Sequence, residues 1–299
     1  MQQYDVIIAG GSYAGLSAAM ALGRAIRRVL IIDGGDPCNK QTPHSHNFIT
    51  QDGNTPAAIA AAAREQVLAY PTVALQQGIV SNITPLDKGF EVVTAEGNVY
   101  QAKKIIFATG VKDIMPDIKG FAECWGITAI HCPYCHGYEV RAEETGIMAN
   151  GDMAYEFAKL ISNWTDKLTL FTNGPSSLSA EQALKLAAHK INIVEKKIVE
   201  LEHENGFINQ VNFEDGSRQS LAALYSKLPF VQKSDLLARL GCEFDDHGLV
   251  RIDDFSRTTV PGVYAAGDNA NMFRSVAMSV AMGTKAGAMS NKEMRDQMF

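Results

Sequence analysis

The sequence lacks the features that would place it in a membrane, on nucleic acid or outside the cell. Its most apolar stretch, Val6 to Leu22, starts beside Asp5 and is broken by Gly10, Gly11, Ser12 and Gly15. A spanning helix needs about 20 unbroken apolar residues. The opening Met1-Gln2-Gln3-Tyr4-Asp5 carries no basic residue, whereas a secretory signal begins with basic charge. No long block of like charge occurs, and the formal net charge is −6. Such a chain repels phosphate backbones. No nucleic acid partner and no membrane attachment are therefore expected, and the expected location is cytoplasmic. Cysteine is sparse: Cys38, Cys124, Cys132, Cys135 and Cys242. An odd, scattered set is not a secreted disulfide framework. In a reducing compartment a close pair points to catalysis or metal binding rather than to a structural staple.

What is present fits two domains. The 299 residues are 46% hydrophobic and 20% charged, ordinary for a globular protein. Tyr4–Ala9 is a short apolar run ending in glycines, the pattern of a buried parallel strand. A helical period follows over Tyr13–Arg27, then a strand over Arg28–Ile32. A helix opens at Asn54-Thr55-Pro56, a side-chain cap followed by proline, and ends at Tyr70-Pro71. Short strands are expected at Val73–Ile83, Phe90–Thr94, Asn98–Ala102 and Ile105–Ala108. A second β-α-β unit starts near Thr145, with strand Gly146–Ala149, helix Asp152–Trp164 and strand Lys167–Phe171. Further strands are expected at Ile191–Val194, Val199–Glu202, Phe207–Phe213 and Ala223–Tyr225. A last helix runs from Ser275. The chain thus reads as two related α/β units, the second inserted into the first.

Gly10-Gly11-Ser12-Tyr13-Ala14-Gly15 stands where a dinucleotide-binding fold has G-x-G-x-x-G. There the first glycine permits the tight turn, the second admits pyrophosphate and the third packs helix on strand. The middle glycine here is Ser12. Asp33 ends the second strand and can bond ribose hydroxyls. Gly262-Val263-Tyr264-Ala265-Ala266-Gly267-Asp268 is an apolar strand ending in a carboxylate, at the strand end where ligands bind open α/β sheets.

Between the two glycine turns lies His131-Cys132-Pro133-Tyr134-Cys135-His136-Gly137-Tyr138-Glu139. Two thiols three residues apart open and close a disulfide with little chain movement. A zinc site would need about two more ligands, and no second C-x-x-C exists, so no metal is expected. A thiolate attacks a substrate sulfur and its partner resolves the mixed disulfide.

In this order, the Gly10–Gly15 loop, Asp33, Ala108-Thr109-Gly110 with Pro116, Cys132-x-x-Cys135 and Gly267-Asp268 resemble the low-molecular-weight thioredoxin reductase-like family of FAD-dependent pyridine nucleotide-disulfide oxidoreductases. The resemblance spans nearly the whole chain. It implies two Rossmann-like three-layer α/β domains, with the dithiol-bearing one inserted into the FAD domain. The expected FAD-binding domain is 1–116 with 233–299, and the NAD(P)-binding-like domain is 117–232. The resemblance also implies a homodimer. Carried over, Gly10, Ser12, Tyr13, Ala14, Gly15, Asp33, Gly34, Thr109, Gly110, Gly267 and Asp268 are expected to bind FAD. Arg274, Ser275 and Val276 resemble the segment that reaches the flavin ring. Cys132, Cys135 and His136 are the expected catalytic set, with Cys135 nearer the flavin and Cys132 meeting the substrate.

Two departures matter. The second glycine loop is Ala149-Asn150-Gly151-Asp152-Met153-Ala154, and the run 171–179 after the next strand has no Lys, Arg or His. A 2′-phosphate there lacks a cationic partner, which leaves NAD(P)H use open beside NADH, a ferredoxin-type donor or reversed electron flow. Typical members have aspartate after the second cysteine; this chain has His136, an imidazole that takes a thiol proton near neutrality. Cys-Pro-Tyr-Cys-His-Gly-Tyr-Glu resembles the branch that includes microbial dithiol oxidases. The leading expectation is an FAD-dependent thiol–disulfide oxidoreductase acting on a small dithiol or disulfide. The alternatives are an NAD(P)H-dependent reductase of a thioredoxin-like protein and a flavin-binding redox sensor that does not turn over. His44-Ser45-His46 is either a flavin or substrate lining or a solvated loop. Cys38 is expected to be the exposed thiol and Trp125 to be core.

Overall fold

A computed structural model describes residues 2–299 and divides them into two compact units. The first holds residues 2–40, Pro56–Lys112 and Phe230–Phe299; the second holds Gln41–Thr55 and Asp113–Pro229. Residues 41–55, expected with the flavin domain, therefore pack with the dithiol unit. Their side chains explain why: Gln41 donates to the carbonyls of Ala122 and Trp125, each at 3.2 Å.

The first unit is built on a seven-stranded sheet. Its parallel part has Gln2–Ala9 at the centre, flanked by Val29–Asp33 and Val99–Phe107. Val73–Gln77 extends one side and Val263–Ala265 the other. Gly89–Thr94 and Val80–Leu86 complete it as an antiparallel excursion. Fully buried Val6, Ile7 and Ile8 make Gln2–Ala9 apolar on both faces, as a covered parallel strand must be. On one face the helix Tyr13–Arg24 packs against the last helix, Val276–Asp296. The approach is close: a Cβ on Gly283 would lie 2.1 Å from the Ala14 carbonyl oxygen, and one on Gly287 2.5 Å from that of Ala18. Small residues on both helices make this packing available.

The second unit has a five-stranded parallel sheet. Its order is Asn192–Val194, Leu168–Phe171, Thr145–Met148, Ala223–Ser226 and Ala129–Ile130. Beside it stands an antiparallel sheet of Ile198–Glu204, Phe207–Phe213 and Arg218–Ser220.

Several element bounds differ from expectation for physical reasons. The run Val73–Ile83 is two strands, because Gly78 turns the chain at φ +152°. Conversely, Asn98–Ala102 and Ile105–Ala108 are one strand, Val99–Phe107. Lys103-Lys104 does not break it: exposed Lys103 pairs with Asp5 at 2.7 Å, and buried Lys104 pairs with Glu293 of the last helix. The helix Ala180–Ala188 was not anticipated. Among the described residues no helix is long and apolar enough to cross a membrane.

Candidate active site

Strand register gathers the expected FAD residues at one edge. Ala9 lies beside Ile32 and Phe107, and Phe107 beside Ala265. Gly10, Asp33, Ala108-Thr109-Gly110 and Gly267-Asp268 therefore emerge together at the carboxyl edge of the first parallel sheet. Gly10 adopts φ +106°, and a Cβ there would lie 2.3 Å from the Ala108 carbonyl oxygen. A Cβ on Gly15 would lie 1.9 Å from the Gly10 carbonyl oxygen. A side chain at either place would close the cradle. Ser12 caps the helix Tyr13–Arg24 without a side-chain bond, and the first turn bears no acid. Its amide groups thus keep their capacity for an anion.

Other residues of the set make contacts along this edge. Gly11 N donates to Asp33 Oδ1 at 3.0 Å, while Arg64 approaches Asp33 Oδ2 at 3.4 Å. Arg64, on the helix Pro56–Leu68, was not anticipated. Gly34 follows directly, close under Ile79. The Tyr13 hydroxyl donates to the Pro56 carbonyl at 3.3 Å. Arg274 Nε meets Asp268 Oδ2 at 3.4 Å, and Ser279 donates to Oδ1 at 3.4 Å. Ser275 caps the last helix by accepting from Met278 N at 3.1 Å, placing Val276 at its first position. Thr109 Oγ1 is buried with no hydrogen-bond partner. An open glycine cradle, a ribose-type acid and an orphaned hydroxyl together fit a bound dinucleotide such as FAD.

The second glycine turn, at the carboxyl end of Thr145–Met148, is filled instead. Asn150 Oδ1 accepts from Gly151 N at 2.9 Å, Ser177 N at 2.8 Å and Ser177 Oγ at 3.0 Å. Its Nδ2 donates to the Pro175 carbonyl at 2.9 Å. Ser176 N donates to Glu195 at 3.0 Å, and Gln182 to Asp152 at 2.8 Å. Gly151 N is thus already bonded, and the charged side chains beside the turn are the carboxylates of Asp152 and Glu195. No Lys, Arg or His stands in the turn 149–154 or the run 171–179 to meet a 2′-phosphate.

The dithiol lies on that same carboxyl edge, just after Ala129–Ile130 and two strands from the closed turn, about 10 Å at ordinary strand spacing. Cys132 and Cys135 are joined as a disulfide with Cα atoms 5.3 Å apart, within the usual span. The pair opens a one-turn helix, Pro133–His136, with proline at its start. Gly137 ends it where any side chain would strike the Pro133 carbonyl at 2.5 Å and Trp164 at 2.9 Å. Trp164 also supports the exposed Tyr134 edge-on at 5.5 Å. No sequence signal marked Trp164 for this place.

Both ring nitrogens of His136 are buried without a hydrogen-bond partner. Burial, helped by the nearby charge of His46, pushes its pKa down to about 4. At neutral pH His136 is thus an uncharged imidazole with a free lone pair beside the disulfide. The other cysteines offer no second pair. Cys38 is exposed and donates to the Val111 carbonyl at 3.0 Å. Cys124 and Cys242 are buried, and burial pushes the Cys124 thiol up to about 12, so it stays protonated and unreactive. Trp125 is buried, with Nε1 donating to Asp113 at 3.1 Å. Among the described residues no cluster of His, Cys, Asp and Glu could hold a metal ion.

A dinucleotide edge in one α/β unit and a disulfide on the edge of another define a two-Rossmann thiol–disulfide oxidoreductase. The chain belongs to the pyridine nucleotide-disulphide oxidoreductase family, which it matches over residues 4–285. Members of this thioredoxin reductase-like group are FAD enzymes. The chain is 32% identical over 295 residues to the thioredoxin reductase aclD of Aspergillus oryzae, covering 95% of this chain and 94% of that protein. It is 33% identical over 308 residues to the thioredoxin reductase tcpT of Claviceps purpurea, covering 97% and 94%. The crystal structure of an oxidoreductase from Agrobacterium tumefaciens superposes with a TM-score of 0.92 at 37% identity, covering 99% of both chains.

Proposed function

We propose that the protein oxidises small dithiols to disulfides, with the first unit binding FAD and the second supplying Cys132, Cys135 and His136. The observation that carries this reading is His136: a neutral base whose ring nitrogens are buried, directly after the disulfide. A substrate thiol gives its proton to His136, and the thiolate attacks the disulfide at Cys132. The second substrate thiol then displaces Cys132 from the mixed disulfide, leaving substrate disulfide and the enzyme dithiol. FAD, when bound, supplies two-electron acceptance from that dithiol. Dioxygen is the proposed final oxidant, so dithiol and oxygen become disulfide and hydrogen peroxide. The second glycine turn, with no cation for a 2′-phosphate, supports this direction over hydride supply from NADPH.

The relatives named thioredoxin reductases favour a second reading, in which the dithiol reduces a thioredoxin-like protein with electrons from NAD(P)H or a ferredoxin-type donor. Stopped-flow reduction of the yellow protein separates the two. Dithiothreitol is expected to bleach the flavin, with colour returning in air and peroxide formed. Rapid bleaching by NADPH overturns the first reading. Bleaching by neither favours a redox sensor without turnover. Cys135→Ser is expected to abolish dithiol-dependent bleaching. The enzyme is further proposed to act in the cytoplasm as a homodimer, which sedimentation of the holoprotein checks.

A further inference from the structure

The carboxyl edge of the first sheet is short of positive charge. The turn and helix 10–23 contain no Lys or Arg, and Ala108-Thr109-Gly110 and Gly267-Asp268 add none. What this edge does hold is acid. Asp33 is pressed against the glycine turn: Gly11 N donates to its Oδ1 at 3.0 Å, and a Cβ on Gly11 would lie 2.8 Å from its Cβ. Asp268 stands at the end of the strand Val263–Ala265. Both side chains are mostly buried, 14% and 22% exposed. A dinucleotide adds the negative charge of its pyrophosphate. The helix amides answer part of that charge, but like charges repel more strongly here than in open water.

Each acid is met by an arginine. Arg274 Nε lies 3.4 Å from Asp268 Oδ2, in the segment expected to reach the flavin ring. The second is Arg64, whose Nη2 lies 3.4 Å from Asp33 Oδ2. Nothing in the glycine-loop pattern calls for Arg64, because it comes from a separate helix, Pro56–Leu68. Burial places that helix. Pro56, Ile59 and Val67 face inward, and the Tyr13 hydroxyl, at the start of the nucleotide helix, donates to the Pro56 carbonyl at 3.3 Å. The residues one turn before Arg64 are Ala60 and Ala61, so no long side chain crowds the guanidinium from that side. Arg64 does little for the fold itself. Its side chain is 45% exposed, and a pair so open to solvent contributes little to stability.

We propose that Arg64 is a positioning residue for FAD. It holds the second oxygen of Asp33, so that the acid meets the adenosine ribose in one orientation. It also balances the charge of that acid beside the pyrophosphate. The inference rests on the first unit being the FAD site.

The test is release of FAD from the holoprotein on dilution, read as the flavin fluorescence that appears in solution. In dilute buffer Arg64→Gln is expected to weaken FAD retention about tenfold, the scale of one charge-assisted hydrogen bond. Salt screens charge, so wild type and variant should converge at about 1 M salt. Arg64→Lys keeps the charge and should recover most of the loss. In an Asp33→Asn background Arg64→Gln should cost less, because no acid is left to hold. Wild-type retention in Arg64→Gln overturns the proposal. So does a loss that persists in concentrated salt and that lysine does not recover, which is the mark of altered packing. If the wild-type protein itself holds no FAD, the reading of the first unit has failed and the role of Arg64 falls with it. Should Arg64→Gln not fold, Arg64→Lys takes its place. Retention near the wild-type level that falls with salt as wild type does supports the proposal, and a tenfold loss indifferent to salt overturns it.

Discussion

The two parallel sheets end in edges of opposite chemical character. The first works with backbone: Gly10 and Gly15 leave no room for a Cβ, and what they expose is amide and space. The second works with side chains: Asn150 ties its glycine turn shut, and Cys132, Cys135 and His136 occupy the neighbouring strand end. One β-α-β pattern therefore serves as a cradle in one place and as a mount for reactive groups in the other. What decides between them is which polar partner reaches the helix start first. In the first unit that place is left to a ligand. In the second, an asparagine and the loop 175–177 have taken it.

Substitutions that remove side chains from the second edge and add them to the first should break this contrast most sharply. His136→Ala is expected to slow dithiol-dependent bleaching by about 10²–10⁴-fold; an unchanged rate, measured by stopped flow, would remove the base from the second edge. Gly15→Ala adds one methyl where there is 1.9 Å of room. Overpacking of about 1–3 kcal/mol, if it falls on the cradle, corresponds to about 5–150-fold weaker flavin binding, visible as lost yellow colour after dialysis. The same protein should keep its disulfide, because the second edge is built from other residues.

Acid provides a third test. The His136 pKa lies near 4 in the folded protein and near 6.5 in an unfolded chain. Between these values the unfolded state binds the extra proton, so stability falls as pH drops from about 6.5 to about 4. The loss is on the order of 3 kcal/mol. Both tryptophans, Trp125 and Trp164, lie in the dithiol unit, so tryptophan fluorescence during urea unfolding reports that unit. His136→Ala should flatten the dependence. The smallest effect belongs to Asn150→Ala, expected to cost about 1 kcal/mol of stability with flavin content unchanged. NADPH should still fail to bleach this variant, because Asp152 and Glu195 remain. Bleaching would show that Asn150 alone had closed the turn.

The β-α-β units were legible because buried strands write continuous apolar runs and glycines punctuate their ends. The helix Ala180–Ala188 was missed although its start carries a readable signal: Ser179 accepts from Gln182 N at 3.2 Å, and the Gln182 side chain accepts from Ser179 N at 2.9 Å. Lys103-Lys104 misled because buried Lys104 finds a half-buried acid, Glu293, 189 residues away. The decay of the second glycine turn was visible in Ala149, but its replacement was not, since Asn150 finds Ser177 only after folding. His46 and Glu139 meet across 93 positions of sequence. No local pattern announces such a pair, so the dithiol was legible and its surroundings were not.

The close seating of Gly283 and Gly287 against Ala14 and Ala18 also sets an order of events on the ribosome. The dithiol unit has all its residues once Pro229 has been made and can fold while synthesis continues. The nucleotide helix Tyr13–Arg24, made before that unit, waits for a partner translated some 270 residues later. Flavin capture is thereby tied to late synthesis, and a nascent chain cut short before the last helix would carry a finished dithiol with no cofactor to serve it.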